Sequence, residues 1–240
     1  MEDAKIGLRR DPDELRIELL SLAQSVAAAV PRATTALLEG DLEAIEYLIQ
    51  FDDEIDARAL DIEDNCYATL ALKAPVASEL RLIVAIVKIA ADVERSADLI
   101  TNICKAGRRL NGVTIPPALT QIISNMSQQS HKLFLKALTA FETNDASLAA
   151  ALDDMDGFLD DLQRQFIQSI LESHSTGEIT LQSALQFAVI ARFYERIGDH
   201  AVNIGERVHY VVTGSMPEHK APAWWPDRTP MGGTERTPKP

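Results

Sequence analysis

Apolar residues recur along this chain every three or four positions, over long stretches, and almost nowhere alternate. That period fits amphipathic helices and not strands. Asp11-Pro12 reads as an N-cap followed by proline at the first helical position, and Leu15, Leu19, Leu22, Val26 and Val30 follow at helical spacing until Gly40 stops the run. Asp41 caps a second run that carries Ile45, Leu48, Ile55, Ala59 and Ile62 and extends to about Lys73. Pro75 restarts the chain, and Leu80, Val84, Val87 and Ala91 mark a third predicted helix ending near Arg109. Asn111-Gly112 and Pro116-Pro117 form a clear break. A fourth helix is predicted from Pro117 to Phe141, with a turn at Asn144-Asp145. A fifth is predicted from Ala146 to Ser173, and a sixth from Glu178 to Thr213, with Gly214 as the residue after its end.

The expected fold is all-α, with helices of about 40–50 Å at 1.5 Å per residue. Short turns make sequential helices antiparallel neighbours. The break at 110–117 divides them three and three, and the halves repeat. Residues 90–103 match residues 191–204 at an offset of 101 in Ala, Glu, Arg, Asp, Asn and Ile. Leu48, Asp52, Ile55 and Asp56 align with Leu152, Asp156, Leu159 and Asp160 at an offset of 104. The predicted organisation is a tandem of two three-helix bundles, residues 1–112 and 113–214. A tail follows over 215–240, which holds six of the 11 prolines and is expected to be disordered. Its Trp224-Trp225 pair is either a docking element or part of a flexible end.

Charge changes this picture. Lys plus Arg total 23 against 36 Asp plus Glu, a net −13, and the tail contributes +1, so residues 1–214 carry −14. Such a balance excludes a basic face gripping a nucleic-acid backbone. The 2 cysteines, Cys66 and Cys104, cannot build a disulfide framework or a Cys-rich zinc site, and they read as core residues of a cytoplasmic protein. No apolar run is long enough to span a membrane, and no signal peptide is visible.

Part of the acidity is patterned. Each half has two acidic pairs four residues apart: Asp52 with Asp56 and Glu94 with Asp98, then Asp156 with Asp160 and Glu195 with Asp199. Residues four apart share a helix face. On the second helix the acids interrupt the stripe Ile45, Leu48/Ile49, Ile55 and Ala59; on the third they continue Leu80, Val84, Val87 and Ala91. Carboxylates gathered in a seam repel one another and need raised pKa values, basic partners or cations. Arg81, Arg95, Arg192 and Arg196 are the candidate basic partners. An oxygen-only donor set suits hard or borderline cations: magnesium, manganese, iron or zinc. Patterning leaves salt bridges and metal both open. Asn102 and Asn203 follow one turn after the acids on the same face, placed to orient ligands.

Glu195-Arg196-Ile197-Gly198-Asp199-His200, with Asn203-Ile204 after it, resembles the hallmark of the PhoU family of phosphate-transport regulators. The segment Pro75 to Ile83, leading to Glu94-Arg95 and Asp98, resembles that family's first-repeat motif, and Asp52-Asp53-Glu54-Ile55-Asp56 fits as well. The resemblance covers roughly residues 10–213. It implies multinuclear iron or zinc clusters held by Asp52, Asp56, Glu94 and Asp98 in the first half and by Asp156, Asp160, Glu195 and Asp199 in the second. It implies a non-enzymatic, negative regulator of phosphate uptake and of two-component phosphate-starvation signalling. The implied partners are the ATPase subunit of the Pst transporter and a sensor histidine kinase, with membrane association only through them. Homodimerisation is expected. Arg81 and His200 join Asn102 and Asn203 as residues that would support the ligands or meet a partner, although a surface position is the ordinary expectation for His200.

This sequence departs from the family pattern in places. The first repeat has Ser96-Ala97 where the second has Ile197-Gly198, which puts the closeness of helix packing there in question. Thr180-Leu181-Gln182 replaces Glu79-Leu80-Arg81, so the two sites should differ. Asp153, Asp154 and Asp161 crowd the fifth helix and obscure its ligand register. A metal-free interaction scaffold is the alternative. A ferritin-like di-iron protein needs two Glu-x-x-His motifs, and only Glu206-Arg207-Val208-His209 is present. No phosphate-cradling glycine loop and no nucleophile elbow appear.

Overall fold

The computed structural model describes residues 11–215, which form six helices and no strand. The expected loose tail with Trp224-Trp225 lies outside the described residues, as does His219. Helix α1 spans Pro12–Glu39, α2 Leu42–Lys73, α3 Ala77–Arg109, α4 Pro117–Thr143, α5 Ala146–Ser175 and α6 Leu181–Thr213.

The helix ends follow the local chemistry. Asp11 accepts from the Asp13 backbone N–H while Glu14 reaches back to the Asp11 N–H, a complete capping box ahead of Pro12. Asp41 and Asp145 cap α2 and α5 with their side chains alone, accepting from Ala44 N and from Ser147 and Leu148 N. Helix α6 begins three residues later than expected, because the Thr180 side chain accepts from Ser183 N and so defines the cap. The α2–α3 turn is tight: Ala74 and Ala77 adopt φ of 46° and 50° on either side of Pro75-Val76. The corresponding α5–α6 turn places Gly177 at φ 79°, where glycine meets no Cβ penalty.

Helices α1, α3, α6 and α4 form a ring in which each packs on the next. Helix α2 packs on α1 and α3, and α5 on α4 and α6. The third and sixth helices run antiparallel: Arg81 lies by Val211, and Asp92 by His200. Helices α1 and α4 do likewise, since Arg16 reaches the carbonyls of Phe141 and Glu142 while Thr34 meets Ser127. The predicted three-helix units are therefore both present, joined through α3–α6 and α1–α4.

The core runs continuously through both units. Cys66 and Cys104 lie in it, fully buried, and burial pushes both thiols up to about 12. One buried polar cluster ties the halves: Thr34 Oγ1 is 2.6 Å from Ser127 Oγ and 2.7 Å from Tyr194 OH, so α1, α4 and α6 meet there. The stripe expected to bury α3 is corrected. Leu80 and Val84 are exposed, and Val87 and Ala91 only half-buried; the buried face carries Ile83, Ile86, Ile89, Val93 and Ile100. Both sets have helical spacing on one helix, and the two faces of α3 are apolar enough that periodicity alone does not choose between them.

Candidate functional site: two carboxylate seams

The eight predicted acids do gather by repeat. Asp52 and Asp56 on α2 face Glu94 and Asp98 on α3. Asp98 is the common neighbour, since its charge raises the pKa of each of the other three. Asp156 and Asp160 on α5 face Glu195 and Asp199 on α6, and the charge of each of the other three acts on Asp156. These seams flank the antiparallel α3–α6 pair.

Within each seam depth separates the acids. Asp56, Asp98, Asp160 and Asp199 are exposed, Asp52, Glu94 and Asp156 are half-buried, and Glu195 is 8% exposed. Burial, followed by the charges of Asp98 and Asp56, pushes Asp52 up to about 6, against hydrogen bonding from Thr101. Burial, followed by Asp160, Asp199 and Glu195, pushes Asp156 up to about 7. Glu94 and Glu195 are raised first by burial and then by Asp98 and Asp199 respectively.

Asp52 and Asp156, equivalent in the repeat, share a second property. Each holds its Oδ1 buried without a hydrogen-bond partner, and so does Glu195 with Oε2. Such atoms are costly in a folded protein unless something bonds them. Carboxylate oxygens in this state fit a cation-binding role. The acids nevertheless stand apart: among the described residues, no three His, Cys, Asp or Glu side chains converge closely enough to hold a metal ion.

The expected basic partners divide. Arg192 donates to Glu195 Oε1. Arg95 acts on Glu94 only as a nearby charge. Arg81 belongs elsewhere: its Nε donates to the Val211 carbonyl at 3.3 Å, at the end of α6. Arg192 makes the one ion pair to any of the eight acids among the described residues.

Two glycines bring α5 against α6. A Cβ on Gly198 would overlap Asp156 Oδ1 and lie 2.6 Å from Leu159 Cδ2. A Cβ on Gly205 would lie 2.6 Å from Leu152 Cδ1 and 3.0 Å from the Ala149 carbonyl. Ala97 takes the place of Gly198 in the first repeat and is buried there, so α2 accommodates a methyl group. The register of α5 is also clear. Asp161 pairs outward with Arg164, and Asp153 lines a separate cavity with Gly205, Glu206 and His209, which places the lone Glu-x-x-His pair off the seam.

His200 is corrected from a surface residue to a buried one. Its Nδ1 lies 3.0 Å from Asp92 Oδ1, and Asn203 Nδ2 donates to the same oxygen at 3.3 Å. Asn203 thus supports Asp92 and not a seam acid. Asn102 lies half-buried on α3 beside Thr101. Asp92 went unmarked in the sequence pattern although it is only 5% exposed. Its signal is positional: the repeat offset aligns it with Phe193, and Ile89 and Val93 flank it on a face that is otherwise core.

The PhoU domain family matches this chain twice, over residues 19–107 and 123–208, once per helical unit. The chain belongs to the PhoU family. It is 35% identical over 201 residues to phosphate-specific transport system accessory protein PhoU homolog 1 of Mycobacterium tuberculosis, covering 83% of this chain and 89% of that one. It is 30% identical over 207 residues to the PhoU homolog of Pseudomonas putida, covering 86% and 81%. Among solved structures, PhoU from Streptococcus pneumoniae superposes with a TM-score of 0.80 at 28% identity, covering 86% of this chain and 97% of that one. PhoU from Pseudomonas aeruginosa gives 0.79 at 28% identity, covering 90% and 100%. Each PhoU domain match contains one complete carboxylate seam.

Proposed function

We propose that this protein is a cytoplasmic, non-enzymatic accessory regulator of a phosphate-specific transport system. It restrains phosphate uptake and phosphate-starvation signalling by contact with the transporter's ATPase subunit and with a sensor histidine kinase. The observation that carries this reading is the match of both halves to relatives named as accessory proteins of such a system, at 30–35% identity over most of the chain. No described helix is long and apolar enough to cross a membrane, so contact with the transporter would run through its soluble parts. Paired exposed apolar residues suit that role. Leu80 and Val84 on α3 correspond to Leu181 and Leu185 on α6 at the repeat offset, and all four are exposed. Homodimerisation would cover part of such a surface.

The two seams are the proposed cation sites. Asp52, Asp56, Glu94 and Asp98 would hold one cluster and Asp156, Asp160, Glu195 and Asp199 the other, with iron or zinc as the resident metal and magnesium or manganese chemically acceptable. A cation would bond the orphan oxygens and offset the burial and the repulsion that raise Asp52 and Asp156, coupling fold stability to metal. The scaffold reading, without metal, is favoured by the Arg192–Glu195 pair and by the spacing of the acids, no three of which among the described residues converge closely enough to hold an ion.

Affinity capture of the full chain from phosphate-replete cells tests the regulatory role. The transporter ATPase and a sensor kinase should both be recovered, and recovery of neither would reject it.

A further inference from the structure

One end of the molecule brings an uncovered apolar stripe close to the point where the chain leaves α6. Val76, Leu80 and Val84, spaced by four at the start of α3, are all exposed. Arg81 follows Leu80 in the chain, and a Cβ on Gly214 would lie 3.7 Å from its Nη1. Ser215 is held at this end, because its N–H donates to Thr213 Oγ1 at 3.2 Å. Trp224 is the ninth residue after Ser215, and Trp224-Trp225 are the only 2 tryptophans of the chain.

We propose that Trp224-Trp225 dock on the stripe Val76, Leu80 and Val84 of their own chain. Reach selects this surface. Nine residues span at most about 30 Å. The pair that matches Leu80 and Val84 at the repeat offset, Leu181 and Leu185, lies at the other end of α6. Leu185 is 28 residues before Thr213, the last residue of that helix, and so about 42 Å from it. Charge favours the approach, since the tail carries +1 and residues 1–214 carry −14. Indole rings bury a large apolar area while their N–H stays in water, which suits a stripe that is only partly open. A short linker holds them at millimolar effective concentration, so a weak intrinsic affinity is enough. The docked pair covers one of the two repeat-related apolar surfaces. A partner using Leu80 and Val84 must displace the tail, and one using Leu181 and Leu185 need not. That consequence rests on the proposed partner contact; the docking itself does not.

Both tryptophans lie in the tail, so intrinsic emission and acrylamide quenching of the full chain report the contact directly. Wild-type emission should lie at shorter wavelength than that of the urea-unfolded chain, with weaker quenching. Leu80→Gln with Val84→Gln should weaken the contact about tenfold or more, moving emission and quenching toward the unfolded values. Leu181→Gln with Leu185→Gln should leave both unchanged. Circular-dichroism melts confirm that each variant folds. Wild-type emission equal to that of the unfolded chain overturns the docking. An unchanged spectrum in the folded Leu80→Gln/Val84→Gln variant overturns the site. Emission that shifts on dilution identifies a second copy as the occupant and overturns the intramolecular contact. None of these readouts involves the transporter or the kinase, so failed partner capture would reject the regulatory role without touching the docking result.

Discussion

His200 Nδ1 lies 3.0 Å from Asp92 Oδ1 across the α3–α6 contact, and both side chains are buried. This pair joins the two repeats through groups that are poorly tolerated singly. Removing the imidazole leaves a buried carboxylate supported by Asn203 alone. His200→Ala should therefore destabilise the protein by about 3–5 kcal/mol, the usual cost of breaking one side of a buried pair. Asp92→Leu combined with His200→Leu should recover most of that loss, because both buried polar groups are then gone. Urea melts of the two variants provide the check; a double variant as unstable as the single one would show that the pair is not what holds the contact.

Stability should also depend on pH in an unusual direction. Asp52 sits at about 6 and Asp156 at about 7 in the folded chain, both above the ordinary carboxylate range. The folded protein therefore holds these protons more tightly than the unfolded chain does. Their penalty is fully present above pH 7 and fades as pH falls toward 4. Metal-free protein should melt higher at pH 5 than at pH 8, by a few degrees, since about 1 kcal/mol corresponds to roughly 2–4 °C in a chain of this size. Asp52→Asn with Asp156→Asn should flatten that dependence. A wild-type melting temperature that falls steadily from pH 8 to pH 5 would contradict the assignment.

Gly198 offers a test of geometry. Its absent Cβ is the space that Asp156 and Leu159 occupy. Gly198→Ala should cost about 1–3 kcal/mol through overpacking and should reduce any stabilisation by added cation, because Asp156 must move. Ala97→Gly at the equivalent position of the first repeat should cost about 1 kcal/mol through helix propensity and leave the cation response intact. Thermal melts of both variants with and without Mn²⁺ distinguish the outcomes.

The helices were legible in the sequence because their punctuation is local. Asp11-Pro12, Asp41, Asn144-Asp145 and Gly214 each act within one turn of themselves, and all four mark real ends. The repeat was legible for the same reason, and it places the eight acids on two packed helix pairs, α2 with α3 and α5 with α6. What depended on three dimensions was less accessible. The face of α3 that points inward is decided by α1, α2 and α6 together, which is why the stripe through Leu80 and Val84 was misplaced. Arg81 shares a helix with Glu94 and Asp98, yet the antiparallel approach of α6 draws it to Val211. Asp92 and His200 are separated by 108 residues, and no local pattern relates them.

Elemental analysis of untagged protein, purified without chelator, decides whether the twin seams hold cations. Cation-bound seams should yield at least about one iron or zinc ion each, with the content lost in Asp52→Asn/Asp156→Asn while the variant remains folded. Sub-stoichiometric metal in the wild-type protein, together with a melting temperature unchanged by chelation, would contradict cation binding.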